Sequence, residues 1–380
     1  MVARLFMLLQ AELFLTLFPL FLSAKGPELL ATLSPSQLAW VSGASASAAL
    51  AGTVLVFTQR WPPCRFMERG GLPALQLLAA LLLALPSAER EALLVLAALA
   101  SGFALGPLRA GVDACLYVDF LHTPRALSGR ATAQGGAALA ALLLAAFAPP
   151  VAQVFALALA SVLTSVALHQ HAQRERVADR VPPRADGCRP SAERGLRLAA
   201  AALLHALVAT VQLFAPIDAA QGGWSRPALL TLLPEALSAQ LVAGAAAHLT
   251  QSRQRTLALC AAPVAVGAAG MLAARAYAPA SVLLGLARGA MQAELLGAER
   301  PTDWPDALRR QAAQGCVSQA AALALLVAVA LARDRSVACV LILAASVALA
   351  GVVALAEIRR WRAKWQPDVW TGGRAELGVY

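Results

Sequence analysis

Arg109 and Asp113 stand four residues apart inside an apolar run that opens ALLVLAALASGFALGPLR at Ala92. That spacing puts both on one helix face, so each is the other's first available counter-ion, and a purely structural pair is one reading of them. A second acid, Glu12, sits in the first apolar run, LFMLLQAELFLTLFPLFLSA, and Glu235, Arg288 and Glu294 lie in later runs. An unpaired charge at the centre of a bilayer costs roughly 2.5–3.5 kcal/mol on insertion scales, so such residues face a partner or a wet cavity. A carboxylate whose proton affinity depends on a nearby arginine loads and releases a proton as that arginine moves. Glu12 lies about seven residues into its run and Arg109 about ten before the end of its own, which at about 1.5 Å per residue gives both a similar depth. Glu12, Arg109 and Asp113 are therefore the candidates for proton coupling.

The other polar positions inside the runs are candidates for a substrate cavity: Gln10, Thr16, His205, Gln212, Arg288 and Gln292. Arg288 and Gln292 share a helix face by their spacing of four. His205 also fits a plain helix-interface role, and Glu294, close to the end of its run, fits a snorkelling side chain. Glu235 follows Pro234; it is a further candidate, or simply marks where a helix opens. Pro19 and Pro216 occupy similar places in their runs and read as bends in gating helices or as ordinary membrane prolines. No Cys/His spacing of a metal site occurs, and the six cysteines read as small buried residues.

The elements that hold these residues are long and apolar. Of 380 residues, 59% are hydrophobic and 14% charged, with a mean hydropathy of +0.66, far from a soluble domain. Apolar runs fall at 5–24, 38–58, 73–87, 92–118, 131–149, 151–169, 197–216, 228–249, 257–276, 279–297, 311–332 and 336–356. Most are long enough to cross roughly 30 Å of hydrocarbon. The first carries Glu12 and lacks a small-residue cleavage pattern, so it reads as a retained helix rather than a signal peptide. The expected fold is an all-α membrane protein of twelve transmembrane helices in two pseudo-symmetric six-helix bundles. Most of the 31 lysines and arginines lie in segments on the side of the N-terminus, which puts both termini in the cytoplasm. This orientation accounts for the net charge of +10 better than a nucleic-acid partner does.

The longest polar stretch, His169 to Arg197, divides the runs six and six. The expected organisation is an N-terminal bundle over 1–169, a basic cytoplasmic linker over 170–196, a C-terminal bundle over 197–357 and a cytoplasmic tail over 358–380. The halves repeat. Arg130 and Gln134 match Arg310 and Gln314, and Gly106 and Arg109 match Gly285 and Arg288 at nearly the same offset.

With twelve runs in two halves, a basic middle segment and an arginine in the fourth run, the chain resembles the major facilitator superfamily over essentially its whole length. Arg109 followed by Gly111 is similar to that family's Arg/Gly pattern in the fourth helix. The loop GTVLVFTQRWPPCRFMERGG offers Gly52, Arg60 and Arg65 of the family's Gly/Asp/Arg-rich signature, with no Asp near Arg60. The resemblance implies alternating access, with the first, fourth, seventh and tenth helices lining a central cavity.

The function expected is secondary active transport of a small solute, as symporter or antiporter. Two arginines at the cavity favour an anionic or carboxylate-bearing compound. No nucleotide loop is present, which leaves a proton gradient as the energy source. Two other classes fit the composition: a transport-inactive scaffold or envelope protein, and a membrane-embedded transferase. The loops hold no HExxH, GxSxG or paired acidic motif that an enzyme would use. The partners expected are the solute, protons and the lipid bilayer, with neither cofactor, metal nor nucleic acid, and the protein is expected as a monomer. High Ala, Leu and Arg usage points to a GC-rich genome and so to a bacterial inner membrane.

Overall fold

The structure is a computed structural model and describes residues 5–6, 8–13, 15–17, 20–21, 35–58, 74–75, 78–79, 90–119, 123–175, 192–297, 304–332 and 334–365. Regular structure among the described residues is entirely helical. The helices are α1 (Leu8–Leu17), α2 (Pro35–Phe57), α3 (Arg90–Asp119), α4 (Pro124–Phe147), α5 (Pro150–Glu175), α6 (Ala192–Gln221), α7 (Pro227–Ala246), α8 (Gln251–Ala273), α9 (Tyr277–Gly297), α10 (Trp304–Leu331) and α11 (Arg335–Trp365). Seven of them contain a span long and apolar enough to cross a membrane. The third apolar run contributes only residues 74–75 and 78–79, so eleven helices, not twelve, are described. Pro19, Arg60, Arg65, Cys64, Cys188 and the tail beyond Trp365 lie outside the described residues.

Several helices extend past their apolar runs, for local reasons. Thr123 caps α4 by accepting a hydrogen bond from the Ala126 amide, and Pro124 occupies the first turn, where its missing N–H costs nothing. The helix therefore starts seven residues before the hydropathy does, and Arg130 belongs to its interior rather than to a loop. In the same way α5 runs to Glu175 and α6 begins at Ala192, so both eat into the stretch 170–196 expected as linker. At the other end of α4, Gln153 donates to the carbonyls of Leu144 and Ala148, tying the start of α5 to the end of α4 across the Pro149-Pro150 break.

Alanines recur through the interior beside buried leucines, and many other large apolar side chains point outward. Ala137, Ala138 and Ala141 are buried in α4, whereas Val151, Phe155, Leu331 and Val340 are more than 60% exposed. A water-soluble bundle would invert this; a lipid-embedded one gains by letting backbones approach and leaving bulky hydrocarbon to face lipid. Two glycines show the approach. A Cβ on Gly106 of α3 would run into the Ala49 carbonyl and Thr53 hydroxyl of α2, and one on Gly285 of α9 would run into the Glu235 carbonyl and Ser238 hydroxyl of α7. These are the repeated glycines of the sequence, and they do the same work in each half, three residues before Arg109 and Arg288.

One apolar core joins α6, α8, α9 and α11, and another joins α1, α3 and α4. Contacts between the two sets run through α4 against α7 and through α10 against α2 and α3. At the end of the molecule where α1 begins and α11 finishes, Val56, Ala110 and Ala114 pack on Ala307, Leu308 and Ala312. At the opposite end, Arg335 grips Asp218 at 2.8 and 2.9 Å, donates to the Leu272 and Ala273 carbonyls, and Tyr277 donates to the same carboxylate. That clamp ties the ends of α6, α8, α9 and α11 together.

Cys115 and Cys339 are buried and Cys316 half-buried, but Cys260 is exposed. The expectation of uniformly buried cysteines is corrected there, because α8 turns that residue to its outer face.

Candidate functional site

The charged residues inside the runs collect at the junction between the two sets of helices. In the first set, α1 brings Glu12, α3 brings Arg109 and Asp113, and α4 brings Arg130 and Gln134. Arg109 Nη2 lies 2.9 Å from Glu12 Oε1, and its Nε lies 3.6 Å from Asp113 Oδ2. Asp113 has a closer partner in Arg130, whose Nη2 bonds Oδ1, so the intrahelical pair read from spacing alone is not the dominant one. Arg130 Nε is also 3.7 Å from Glu12 Oε1, and Gln134 Nε2 donates to that same oxygen. Glu12 is fully buried; its Oε1 receives every donor, and its Oε2 has no hydrogen-bond partner. Arg130 is buried as well, whereas Arg109 keeps 34% of its side chain exposed.

The second set carries a simpler arrangement. Arg288 Nη1 of α9 lies 2.9 Å from Glu235 Oε1 of α7, and Gln212 Nε2 of α6 donates to Glu235 Oε2 at 3.0 Å. Glu235 is buried and both its oxygens are satisfied; Arg288 remains partly exposed. Pro234 lies inside α7 rather than at its opening, and the Ser238 hydroxyl donates to the Pro234 carbonyl.

The two arrangements face one another. Gln292 of α9 donates to Gln134 of α4 at 3.5 Å, and the charge of Arg288 bears on Glu12. His205, on an exposed face of α6, hydrogen-bonds Gln319 and feels both Arg109 and Arg288. Thr16 donates to the Glu12 carbonyl and accepts from Arg109 at 3.5 Å. Gln10 is exposed. Glu294 does not merely snorkel: it pairs with Arg360 at 3.2 Å and Arg197 at 4.0 Å, away from this junction. Among the described residues no group of three or more His, Cys, Asp or Glu is placed to hold a metal ion.

Sequence reasoning missed Arg130 and Gln134 as members of the site. The signal was present in the repeated Arg-x-x-x-Gln, whose spacing of four aligns both side chains on one helix face. Arg130, counted among loop charges, is the helix-buried partner of two acids.

What this arrangement does electrically is hold three arginines against three acids with no net charge. Two of the arginines, Arg109 and Arg288, remain accessible from the junction, and one acid, Glu12, carries a bare buried oxygen.

Neither a family model nor a curated protein sequence matches the chain. Its structure does resemble solved ones. It aligns with the human organic anion transporter MFSD10 (TETRAN) at a TM-score of 0.62 and 13% identity, covering 94% of this chain and 98% of that one. It also aligns with a bacterial homologue of the iron transporter ferroportin, in an outward-facing state, at a TM-score of 0.65 and 17% identity, covering 94% of this chain and all of the other. At such identities the likeness is one of fold. Multiple apolar helices and this likeness make the chain a multi-pass membrane protein with the fold of these two solved transporters.

Proposed function

We propose that this protein is a proton-coupled secondary transporter of a small organic anion, working by alternating access between two six-helix bundles. The observation that carries the reading is Glu12: buried, paired with the cavity-exposed Arg109 through one oxygen and bare at the other. Protonation at Oε2 removes the negative charge that holds Arg109, while Arg130 stays neutralised by Asp113. Arg109 is then free to take the solute's anionic group, with Arg288 as a second donor and Thr16, His205, Gln212, Gln292 and Gln10 as the polar surroundings. One proton movement is thereby tied to one binding event.

Other features support the architecture. The Gly106 and Gly285 contacts run in register along parallel helix pairs, α2 with α3 and α7 with α9. For α7 and α9 the intervening crossing is α8; the same logic asks for a crossing between Phe57 and Arg90, which favours a span at 73–87. Closure by Val56, Ala110, Ala114, Ala307, Leu308 and Ala312 lies on the side of both termini, which the lysine and arginine distribution assigns to the cytoplasm. The junction is then open to the other side. A bacterial inner membrane and a monomeric state complete the reading.

The test is solute-driven proton movement in proteoliposomes containing the full chain and an internal pH dye. A panel of carboxylates is presented beside cations and neutral solutes of similar size. Carboxylates are expected to accelerate proton entry, and Glu12→Gln to exchange the same solutes without accumulating them. If cations drive the protons, or if Glu12→Gln accumulates solute with the parent's pH dependence, the reading is wrong.

A further inference from the structure

A second charged cluster lies far from the junction, at the end of the molecule where α11 finishes. Arg197 of α6, Arg255 of α8, Glu294 of α9, and Glu357 and Arg360 of α11 line a shallow crevice that is open to the surroundings. The acids are already committed: Glu294 lies 3.2 Å from Arg360 and 4.0 Å from Arg197, and Glu357 lies 3.2 Å from Arg360. Arg255 has no carboxylate partner among the described residues, and its Nε is buried without a hydrogen bond. Three arginines against two glutamates leave one positive charge, and the geometry locates it on Arg255.

The rest of the crevice is hydrocarbon. Leu259, Met291 and Val353 form its wall, and Leu259 is open to the outside of the bundle. Arg255 stands four residues into α8, about 6 Å from the helix start at about 1.5 Å per residue, which is the depth of a headgroup region. Trp361 and Ile358 are exposed nearby on α11, with Arg359 and Arg362 beside them, the mixture of aromatic, apolar and cationic side chains that settles at a membrane interface.

We infer that this crevice binds the headgroup of an anionic phospholipid, its phosphodiester on Arg255 and its glycerol and upper acyl chain along Leu259, Met291 and Val353. Arg255 has no carboxylate among the described residues, so its planar guanidinium is left for phosphate oxygens. The bound lipid touches α6, α8, α9 and α11 at once, so it fastens the second helix set on one side as the Arg335 clamp fastens it on the other. This inference needs only that the protein sits in a membrane; it is independent of what is transported.

The experiment uses the purified, delipidated full chain, titrated with phosphatidylglycerol, phosphatidylcholine or glycerol phosphate, with native mass spectrometry and thermal unfolding as readouts. Phosphatidylglycerol is expected to be retained and to raise the unfolding temperature, with phosphatidylcholine and glycerol phosphate far weaker. Arg255→Gln should lower phosphatidylglycerol retention about fivefold, the effect of one basic residue near an anionic surface. Leu259→Trp, which narrows the crevice and leaves every charge in place, should lower it too, and Arg253→Gln, on the exposed side of α8, should not. Equal retention of the two lipids, parental retention by Arg255→Gln, or a full shift with glycerol phosphate alone would each overturn the assignment, the last in favour of a soluble-anion site.

Discussion

The surroundings of Glu12 and of Glu235 have the same ingredients and opposite saturation. Each is a buried acid facing a half-exposed arginine from the repeated pair, Arg109 or Arg288, with a glutamine as second donor. Glu235 places one donor on each oxygen. Glu12 crowds its donors on Oε1 and leaves Oε2 bare, and a further arginine, Arg130, stands behind it bound to Asp113. An ionised carboxylate has about four lone-pair sites, so either acid can accept a proton; on Glu12 it reaches an oxygen with no donor, whereas on Glu235 it must share an oxygen that already accepts a hydrogen bond. Under the proposed function the difference would separate two roles: an arginine released when its acid is protonated, and an arginine that stays anchored while it donates.

That separation breaks most visibly at Arg130. Arg130→Ala leaves Asp113 without its closest partner in a buried setting, and a loss of about 3–5 kcal/mol in stability is expected from thermal unfolding in detergent. Removing both charges, Arg130→Gln with Asp113→Asn, should recover most of it; a double variant as unstable as the single one would show that Arg130 acts through packing. Next in size is the contrast between the acids. Glu12→Gln should lose tenfold or more of proton-driven accumulation and flatten the pH dependence of uptake, while Glu235→Gln should keep that pH dependence and unfold earlier. An exchange of the two phenotypes would reverse the roles.

A smaller effect is expected from the arginines themselves. Arg109→Lys and Arg288→Lys each replace a planar fork by a point charge, so solute affinity should fall roughly tenfold in both. Only Arg109→Lys should also move the pH profile, and a shift in both would join the two pairs into one titrating unit. The smallest concerns the bridge between the sides: Gln292 reaches Gln134 at 3.5 Å, a long hydrogen bond, so Gln292→Ala should change affinity less than about fivefold.

The runs located the middle of each described helix, because a span needs a length of apolar chain, but missed an end of most by five or more residues, where polar residues continue the helix. Depth counting also put Glu12 and Arg109 at one level, and they meet. Arg130 escaped because a hydropathy run ends at the first charge, although Thr123 and Pro124 already marked the true start of α4. Glu235 and Arg288 are joined by the face that α7 turns to α9, and the Asp218–Arg335 bond by the meeting of α6 with α11; faces are chosen by packing among small residues, which hydropathy does not record. The repeat was legible as paired glycines and arginines. That Glu12 would pair with Arg109 and Glu235 with Arg288 was not legible in the repeat itself, since the two acids stand at unmatched positions of it.

Among the described residues, the apolar part of the contact on the terminal side is Val56, Ala110 and Ala114 against Ala307, Leu308 and Ala312. Parting it wets apolar surface, a change whose driving force near room temperature is entropic and weakens on cooling. Under the proposed function the resting orientation should therefore respond to temperature: chilling is expected to shift molecules toward the state open on the terminal side.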